Sequence, residues 1–265
     1  MTATTVGKAL ITGASTGIGA VYADRLAKRG HDLILVARNQ KRLRELADRL
    51  GAETGRRVEV LVADLGKKED LARVEKILRE DPSITMLVNN AGVASVQPLL
   101  KEEIDRMEDM IFLNVTVPTR LAYAAAPGFV ARGKGTFINI ASVVALSVES
   151  LNGVYGASKA CLLALSHSLQ HELSDKGVRV QAVLPGATAT EIWENAGVSL
   201  ASLPKEILMS TDEMVDAALA GLDQCERVTL PGLQDGGKWT AYEAMRRALA
   251  GQLSTSRAAP RYRAA

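Results

Sequence analysis

Lys8-Ala9-Leu10-Ile11-Thr12 runs straight into Gly13-Ala14-Ser15-Thr16-Gly17-Ile18-Gly19, and a helical pattern through Val21, Leu26 and Ala27 follows as far as Gly30. The order strand, glycine turn, helix leaves few architectures open. Glycines let the backbone turn sharply and approach a phosphate, while the unpaired amides at the start of the helix attract negative charge. Gly13, Ser15, Thr16, Gly17, Ile18 and Gly19 are therefore candidates for holding a phosphorylated ligand. The spacing G-x-x-x-G-x-G differs from the G-x-G-x-x-G dinucleotide fingerprint, so by itself the segment also reads as a plain glycine-rich turn.

The same strand-helix unit then repeats. Asp32–Ala37 (DLILVA) is aliphatic enough for a strand buried on both faces. At its end stand Ala37-Arg38-Asn39, with no acidic residue. A carboxylate there would accept from a ribose 2′-hydroxyl, whereas an arginine accommodates a 2′-phosphate, so Arg38 and Asn39 favour NADP(H) over NAD(H). A solvated arginine opening the next helix is the plainer reading of Arg38. Gln40–Glu53 is periodic and charged, and Arg57–Val62 is a strand followed by Asp64-Leu65. Asp64 is placed to accept from an adenine amino group or to cap the helix Lys67–Glu80, with Leu65 beside it. Thr85–Val88 is a fourth strand ending in Asn89-Asn90-Ala91-Gly92. The amides and small residues Asn90, Ala91 and Gly92 would let the chain lie against a ribose and buttress the sheet, or simply turn.

A long helical region from about Lys101 to Arg132 carries Asn114 between Leu113 and Val115 and is interrupted by Pro118 and Pro127. A proline frees the carbonyl four residues earlier, here that of Asn114, which distorts the turn. The alternative is a simple helix break beside a buried Asn. Thr136–Ile140 is the fifth strand and delivers Ser142 at its carboxyl end. Asn152-Gly153 then marks a turn before a helix running from Tyr155 to about Lys176. On that helix Tyr155 and Lys159 are four apart and share a face. A free phenol ionises near pH ~10, and a neighbouring ammonium would lower that value toward neutrality. Ser142 and Tyr155 can converge over one substrate oxygen. Two solvated residues on an amphipathic helix would carry the same spacing.

Val178–Leu184 is the sixth strand, ending at Pro185-Gly186-Ala187-Thr188-Ala189-Thr190. Thr211–Gln224 reads as a helix, Arg227–Leu230 as a seventh strand and Trp239–Leu249 as a further helix, followed by a tail with Arg257, Arg261 and Arg263. The 265 residues, 47% hydrophobic and 23% charged with a formal net charge of +2, have ample material for a core and no nucleic-acid footprint. Cys161 and Cys225 form neither a disulfide framework nor a zinc site. His167 and His171, four apart, lack a third ligand, so no metal is implied. Met1–Gly7 shows no charged-then-apolar leader and no long apolar span occurs, so a cytoplasmic location is expected.

Thr12-Gly13-x-x-x-Gly17-Ile18-Gly19, Asn89-Asn90-Ala91-Gly92, Asn114, Ser142, Tyr155-x-x-x-Lys159 and Pro185-Gly186, in this order over residues 7 to 230, resemble the short-chain dehydrogenase/reductase family. The resemblance implies a doubly wound, Rossmann-like α/β fold with seven parallel strands in residues 1–230. It also implies a variable lid at residues 191–210, whereas the extension at 231–265 departs from the family pattern, in which many relatives end just after the seventh strand. By the same resemblance, Tyr155 would be the general acid that protonates a carbonyl oxygen, and the base in reverse. Lys159 would lower the phenol's pKa and hold the nicotinamide ribose; Ser142 would donate to the same substrate oxygen; the Asn114 carbonyl would hold a water. The backbone of Thr188 and the hydroxyl of Thr190, beyond Pro185-Gly186, would grip the carboxamide. The lid with Trp193, together with Val143, Val144, Leu146 and Val148, suggests an apolar substrate pocket. Expected, then, is reversible reduction of a ketone or aldehyde with NADP(H), in a homodimer or homotetramer built on the Asn114 and Tyr155 helices. A non-catalytic NADP(H)-sensing protein on the same fold is the alternative, opposed by the joint presence of Ser142, Tyr155 and Lys159. The extension could cover the pocket, pack on a neighbour, or form a surface helix with a frayed basic tail.

Overall fold

Side chains alternate between the two faces of a strand, and in the central strands both sets are apolar, so each face must be covered by helices. The computed structural model describes residues 6–263; Met1–Thr5, on which the reading of the N-terminus rests, lies outside them. Among the described residues seven parallel strands form one sheet: β1 (Lys8–Thr12), β2 (Asp32–Ala37), β3 (Val58–Val62), β4 (Ile84–Asn89), β5 (Gly135–Ile140), β6 (Val178–Val183) and β7 (Val228–Thr229). Their order is β3-β2-β1-β4-β5-β6-β7. The interleaved helices are α1 (Gly17–Lys28), α2 (Gln40–Thr54), α3 (Lys68–Glu80), α4 (Ile104–Ile111), α5 (Val117–Ala131), α6 (Gly153–Leu173), α7 (Ile192–Asn195) and α8 (Thr211–Asp223). The doubly wound α/β fold with seven parallel strands that the family resemblance implied is the fold observed.

Ala9 and Ile11 of β1 point to one face, against Tyr22 and Leu26 of α1, Leu43 and Leu50 of α2 and Leu219 of α8. Leu10 points to the other, where Leu71 of α3, Leu121 and Phe129 of α5 and Leu169 of α6 close the second core. β1 pairs with β2 on one side and β4 on the other. The strand order therefore reverses between β1 and β4, which opens a crevice beyond their carboxyl ends, where ligands of such sheets bind.

Several boundaries differ from expectation for local reasons. Arg57 stays outside β3, its N–H held instead by the Asp32 carboxylate at 2.9 Å. The region from Lys101 to Arg132 divides into a 3-10 turn (Leu99–Lys101), α4, a π-helical turn (Phe112–Thr116) and α5. Pro118, at the start of α5, has no N–H to give back to the preceding turn, and the helix widens there as anticipated. Pro127, by contrast, sits inside α5 without ending it. The carbonyl it leaves unpaired belongs to Tyr123, whose residue is 72% exposed, so water can replace the bond. Among the described residues no helix is long and apolar enough to cross a membrane.

The chain divides into two compact units, the second beginning at Gly232. Within that unit α9 (Gly236–Ala250) begins three residues before the expected Trp239, because Asp235 accepts from the N–H of Gly237 at 2.9 Å and so starts the helix on the glycine pair. Trp239 and Tyr242 stack at 5.3 Å, and Glu243 accepts from Arg246 at 2.8 Å.

Phe129 and Phe137 meet at 5.0 Å in the core under β5. A Cβ added at Gly135 would fall 2.3 Å from the Phe129 ring, so strand and helix close fully only over a glycine. Phe129→Ala should accordingly destabilise the fold by about 3–5 kcal/mol, read as a lowered urea midpoint; a change below about 1 kcal/mol would mean that this pair does not anchor the second core.

Candidate active site

The site is assembled at the carboxyl ends of β1, β4, β5 and β6. Gly13 and Gly17 have φ of +66° and +54°, the left-handed region that glycine enters without strain. A Cβ on Gly19 would lie 2.3 Å from the Gly13 carbonyl oxygen, so this turn packs against itself and against nothing larger than hydrogen. α1 begins there with no acidic residue in its first turn and no side-chain cap from Thr16, leaving its positive end to any anion that enters. The turn is braced by Asn90, whose Nδ2 donates to the carbonyls of Thr12 and Gly13 at 2.9 and 3.1 Å. The Thr12 hydroxyl in turn accepts from the N–H groups of Asn90 and Ala91, both at 3.0 Å. The Asn90 side chain is thus occupied in shaping the loop.

Two other expected ligand contacts also have local partners. Asn39 caps α2, its Oδ1 accepting from the Arg42 N–H at 3.1 Å. Asp64 does not cap α3, whose cap position is Lys67; its carboxylate accepts from Gly66 at 3.1 Å and its N–H goes to Asp70. The neighbouring Leu65 is buried. Arg38 is exposed at the end of β2 and makes no ion pair among the described residues.

α6 brings Tyr155 and Lys159 to the ends of β5 and β6. Both are buried, 7% and 5% exposed, with Lys159 Nζ 5.9 Å from the Tyr155 ring centroid. The amine donates to the Ile140 carbonyl at 2.9 Å, and no carboxylate pairs with it among the described residues. Burial therefore pushes its pKa down to about 8. Burial likewise pushes the Tyr155 phenol up to about 12, opposed by the hydroxyl of Ser142. Desolvation of the phenol is the dominant effect, even though Lys159, one helical turn away, still carries its charge below about pH 8. Ser142 is buried at the end of β5, its hydroxyl 3.4 Å from the Pro185 carbonyl.

Asn114, in the π-helical turn, holds the main chain of Val93 from both sides at 2.9 and 2.8 Å and donates to Ser158 at 3.1 Å. A Cβ on Gly92 would lie 2.9 Å from Asn114 Oδ1 and 3.5 Å from Lys159 Nζ, so Gly92 is where the β4 loop meets the Tyr155 helix. The apolar wall beside Tyr155 consists of Met107, Met110 and Val144, with Ala94, Leu151 and Val154 packed on them. Val144 was expected there; the two methionines carried no signal beyond helical periodicity. Asn152, read only as part of a turn, is the N-cap of α6. Asn immediately before an apolar helical run is the pattern that would have found it.

The lid leaves and rejoins the sheet through one bridge: Ala189 N–H to the Met209 carbonyl and Met209 N–H to the Ala187 carbonyl, both 2.9 Å. Inside it Trp193 Nε1 donates to the Thr188 carbonyl at 2.9 Å, fixing the indole to the segment that follows Pro185-Gly186. Thr190 lies against the glycine turn, its Cγ2 3.2 Å from where a Gly17 Cβ would be. Glu191 pairs with Arg42 of α2 at 2.9 Å.

Fold and site together define a doubly wound α/β protein with a nucleotide-shaped turn beside a buried Ser, Tyr and Lys. The model of the short chain dehydrogenase family matches residues 7–200. A solved short-chain dehydrogenase of Sphingobium yanoikuyae, in complex with NADPH, is 50% identical with a TM-score of 0.94, covering 97% of this chain and 100% of its own. A bulky-bulky ketone specific alcohol dehydrogenase of Comamonas testosteroni is 44% identical with a TM-score of 0.90, covering 98% and 99%. A very-long-chain 3-oxoacyl-CoA reductase of Anas platyrhynchos is 35% identical over 191 residues, which is 69% of this chain and 60% of that relative's length. The chain belongs to the short-chain dehydrogenase/reductase family of oxidoreductases.

The two buried groups give folding a pH signature. Below about pH 8 the folded protein carries Lys159 charged in a dry site, and lowering its pKa from 10.5 to about 8 corresponds to about 3 kcal/mol. Between about 8 and 10.5 the folded amine is neutral while the unfolded one still binds a proton, so this cost fades and stability rises with pH. Above 10 the sign reverses through Tyr155, which keeps its proton in the folded state after the unfolded phenol has lost it. Lys159→Met, denatured in urea without added nucleotide, should be more stable than the native protein at pH 7, with the gap closing toward pH 10.5. A gap independent of pH would refute the burial argument.

Proposed function

We propose that this protein is an NADP(H)-dependent oxidoreductase that interconverts bulky, apolar ketones or aldehydes and their alcohols, with Tyr155 as general acid and base. The observation that carries the reading is the meeting of three buried groups, Ser142, Tyr155 and Lys159, next to the glycine turn. The residues present fit the cofactor. Gly13, Gly17 and Gly19 with the start of α1 would hold the pyrophosphate, and the guanidinium of Arg38, unpaired among the described residues, the 2′-phosphate. Lys159, with one protein acceptor on a three-donor amine, would hold the nicotinamide ribose, and the Thr188–Thr190 segment the carboxamide. When bound, NADP(H) supplies or accepts the hydride.

The chain's own part is the proton and the charge. The phenol of Tyr155, held neutral by burial, would donate to the carbonyl oxygen as negative charge develops there, and Ser142 would donate to the same oxygen. Lys159, poised near 8, would be the group through which the phenol is recharged. The apolar residues Val144 and Leu151 beside Tyr155, with Trp193 tied down in the lid, support a large hydrophobic substrate, as does the ketone specificity named for the Comamonas relative.

The same reading includes self-association through the outer faces of α4 and α6. A groove of about 770 Å³ lies there, lined by Leu99, Ile104, Met107, Ile111, Val154 and Ala157 among others. Leu99 and Ile104 are 79% and 70% exposed, an apolar surface suited to a second copy of the same chain.

Two measurements test this. Tyr155→Phe should lower turnover of NADPH against a panel of bulky ketones by about 10²- to 10⁴-fold while leaving NADPH binding within a few fold; wild-type protein that binds NADPH and turns over no carbonyl compound would contradict the proposal. Arg38→Asp should weaken NADPH by about 10- to 100-fold, the worth of a charge-assisted contact, and improve NADH. A native preference for NADH would remove Arg38 from the site.

A further inference from the structure

Asn152 is 5% exposed and stands immediately before α6. Its Oδ1 accepts from the N–H of Val154 at 2.9 Å and from the N–H of Tyr155 itself at 3.3 Å. Its Nδ2 donates to the carbonyl of Gln97 at 2.7 Å, on the loop that follows β4. One planar amide therefore joins the start of the Tyr155 helix to the opposite wall of the site.

The joint closes a circuit. The Tyr155 carbonyl accepts from the Ser158 hydroxyl at 2.8 Å, Ser158 accepts from Asn114 Nδ2 at 3.1 Å, and Asn114 grips the main chain of Val93. From Val93 the loop runs through Ala94, Ser95 and Val96 to Gln97, and Asn152 carries the path back to the N–H of Tyr155. Both main-chain polar groups of Tyr155 are thus clamped, one through each end of the same loop. Ala94, next to Val93 on this loop, packs against the apolar cluster that includes Tyr155.

We infer that Asn152 is a positioning residue for Tyr155, acting through Gln97 by fixing the distance between the β4 loop and the helix that carries the phenol. A helix cap needs only an acceptor, which Ser, Thr or Asp supplies as well as Asn. The donor to Gln97 needs both the chemistry and the length of an amide: a carboxylate has no donor and would face the carbonyl with its own negative charge, and a serine hydroxyl, one bond shorter than Nδ2, does not reach Gln97 while it caps the helix. Cap and tether are therefore separable by substitution. The inference rests on Tyr155 being the acid of the proposed reaction, and geometry errors of about 1 Å at such a group cost about 10²-fold in rate.

The test compares Asn152→Asp and Asn152→Ser with wild type, using NADPH and a bulky aryl ketone that the wild type reduces. Both variants keep a cap oxygen, so thermal midpoints within a few degrees of wild type are expected, while kcat falls by about 10- to 100-fold. KM for NADPH should stay within about two-fold, since the nucleotide contacts lie elsewhere, and amide exchange at residues 93–97 should accelerate in both variants. Wild-type kcat in Asn152→Ser, or unchanged exchange at 93–97, overturns the inference. If Asn152→Asp fails to fold, Asn152→Ser decides alone. Wild-type protein that reduces no ketone would instead count against the proposed function, and the exchange measurement would still report on the tether.

Discussion

An amine buried at the end of a strand is the constraint around which this site is built. Lys159 loses nearly all contact with water and finds one main-chain acceptor, the Ile140 carbonyl. Placing an ammonium there is unfavourable unless something else compensates, and the result is a group whose charge is held loosely. α6, which carries it, must therefore be secured by other means. Leu169 and Leu173 in the second core hold its far end, and the Asn152 cap holds its start. The Tyr155 phenol, one turn earlier, shares the dry environment and is kept neutral by it. In the proposed reaction, a neutral acid beside a weakly held cation would move a proton in step with charge developing on a bound oxygen.

The nucleotide side of the cleft follows a separate logic, set by close approach rather than burial. The reversal of strand order between β1 and β4 opens the crevice. The turn filling its floor is shaped by Thr12 and Asn90, which spend their hydrogen bonds on the loop itself. What remains to face a ligand is main chain and the end of α1. Asn39 and Asp64 show the same economy, for the first caps α2 and the second closes a turn onto Gly66. Arg38, by contrast, has no partner among the described residues. The two sides meet at Gly92, which passes between Asn114 and Lys159 because it has no side chain.

Much of this was legible residue by residue. The aliphatic runs located the strands to within one or two positions, since a strand buried on both faces tolerates little but Val, Leu, Ile and Ala. Pro118 announced the distortion near Asn114, because a missing N–H is a covalent fact and does not depend on the fold. Less legible were the roles of polar side chains. Asn90, Asn39 and Asp64 each have donors or acceptors suited to a ligand or to a turn, and only the neighbouring backbone decides which. Asn152 looked like a turn residue for the same reason: its partner Gln97 lies 55 positions away.

The amino-acid sequence by itself determined the repeated strand-helix units, the glycine turn, the pairing of Tyr155 with Lys159 on one helical face and the absence of an acid after β2. These follow from side-chain periodicity, backbone freedom and charge, all of which are local. Tertiary structure alone decided how the pair is tuned. Burial drives phenol and amine in opposite directions, and burial is a property of everything packed around them. It also decided which amides shape the site and which stay available to a ligand, because a hydrogen bond between distant segments exists only once the strands between them have been laid side by side.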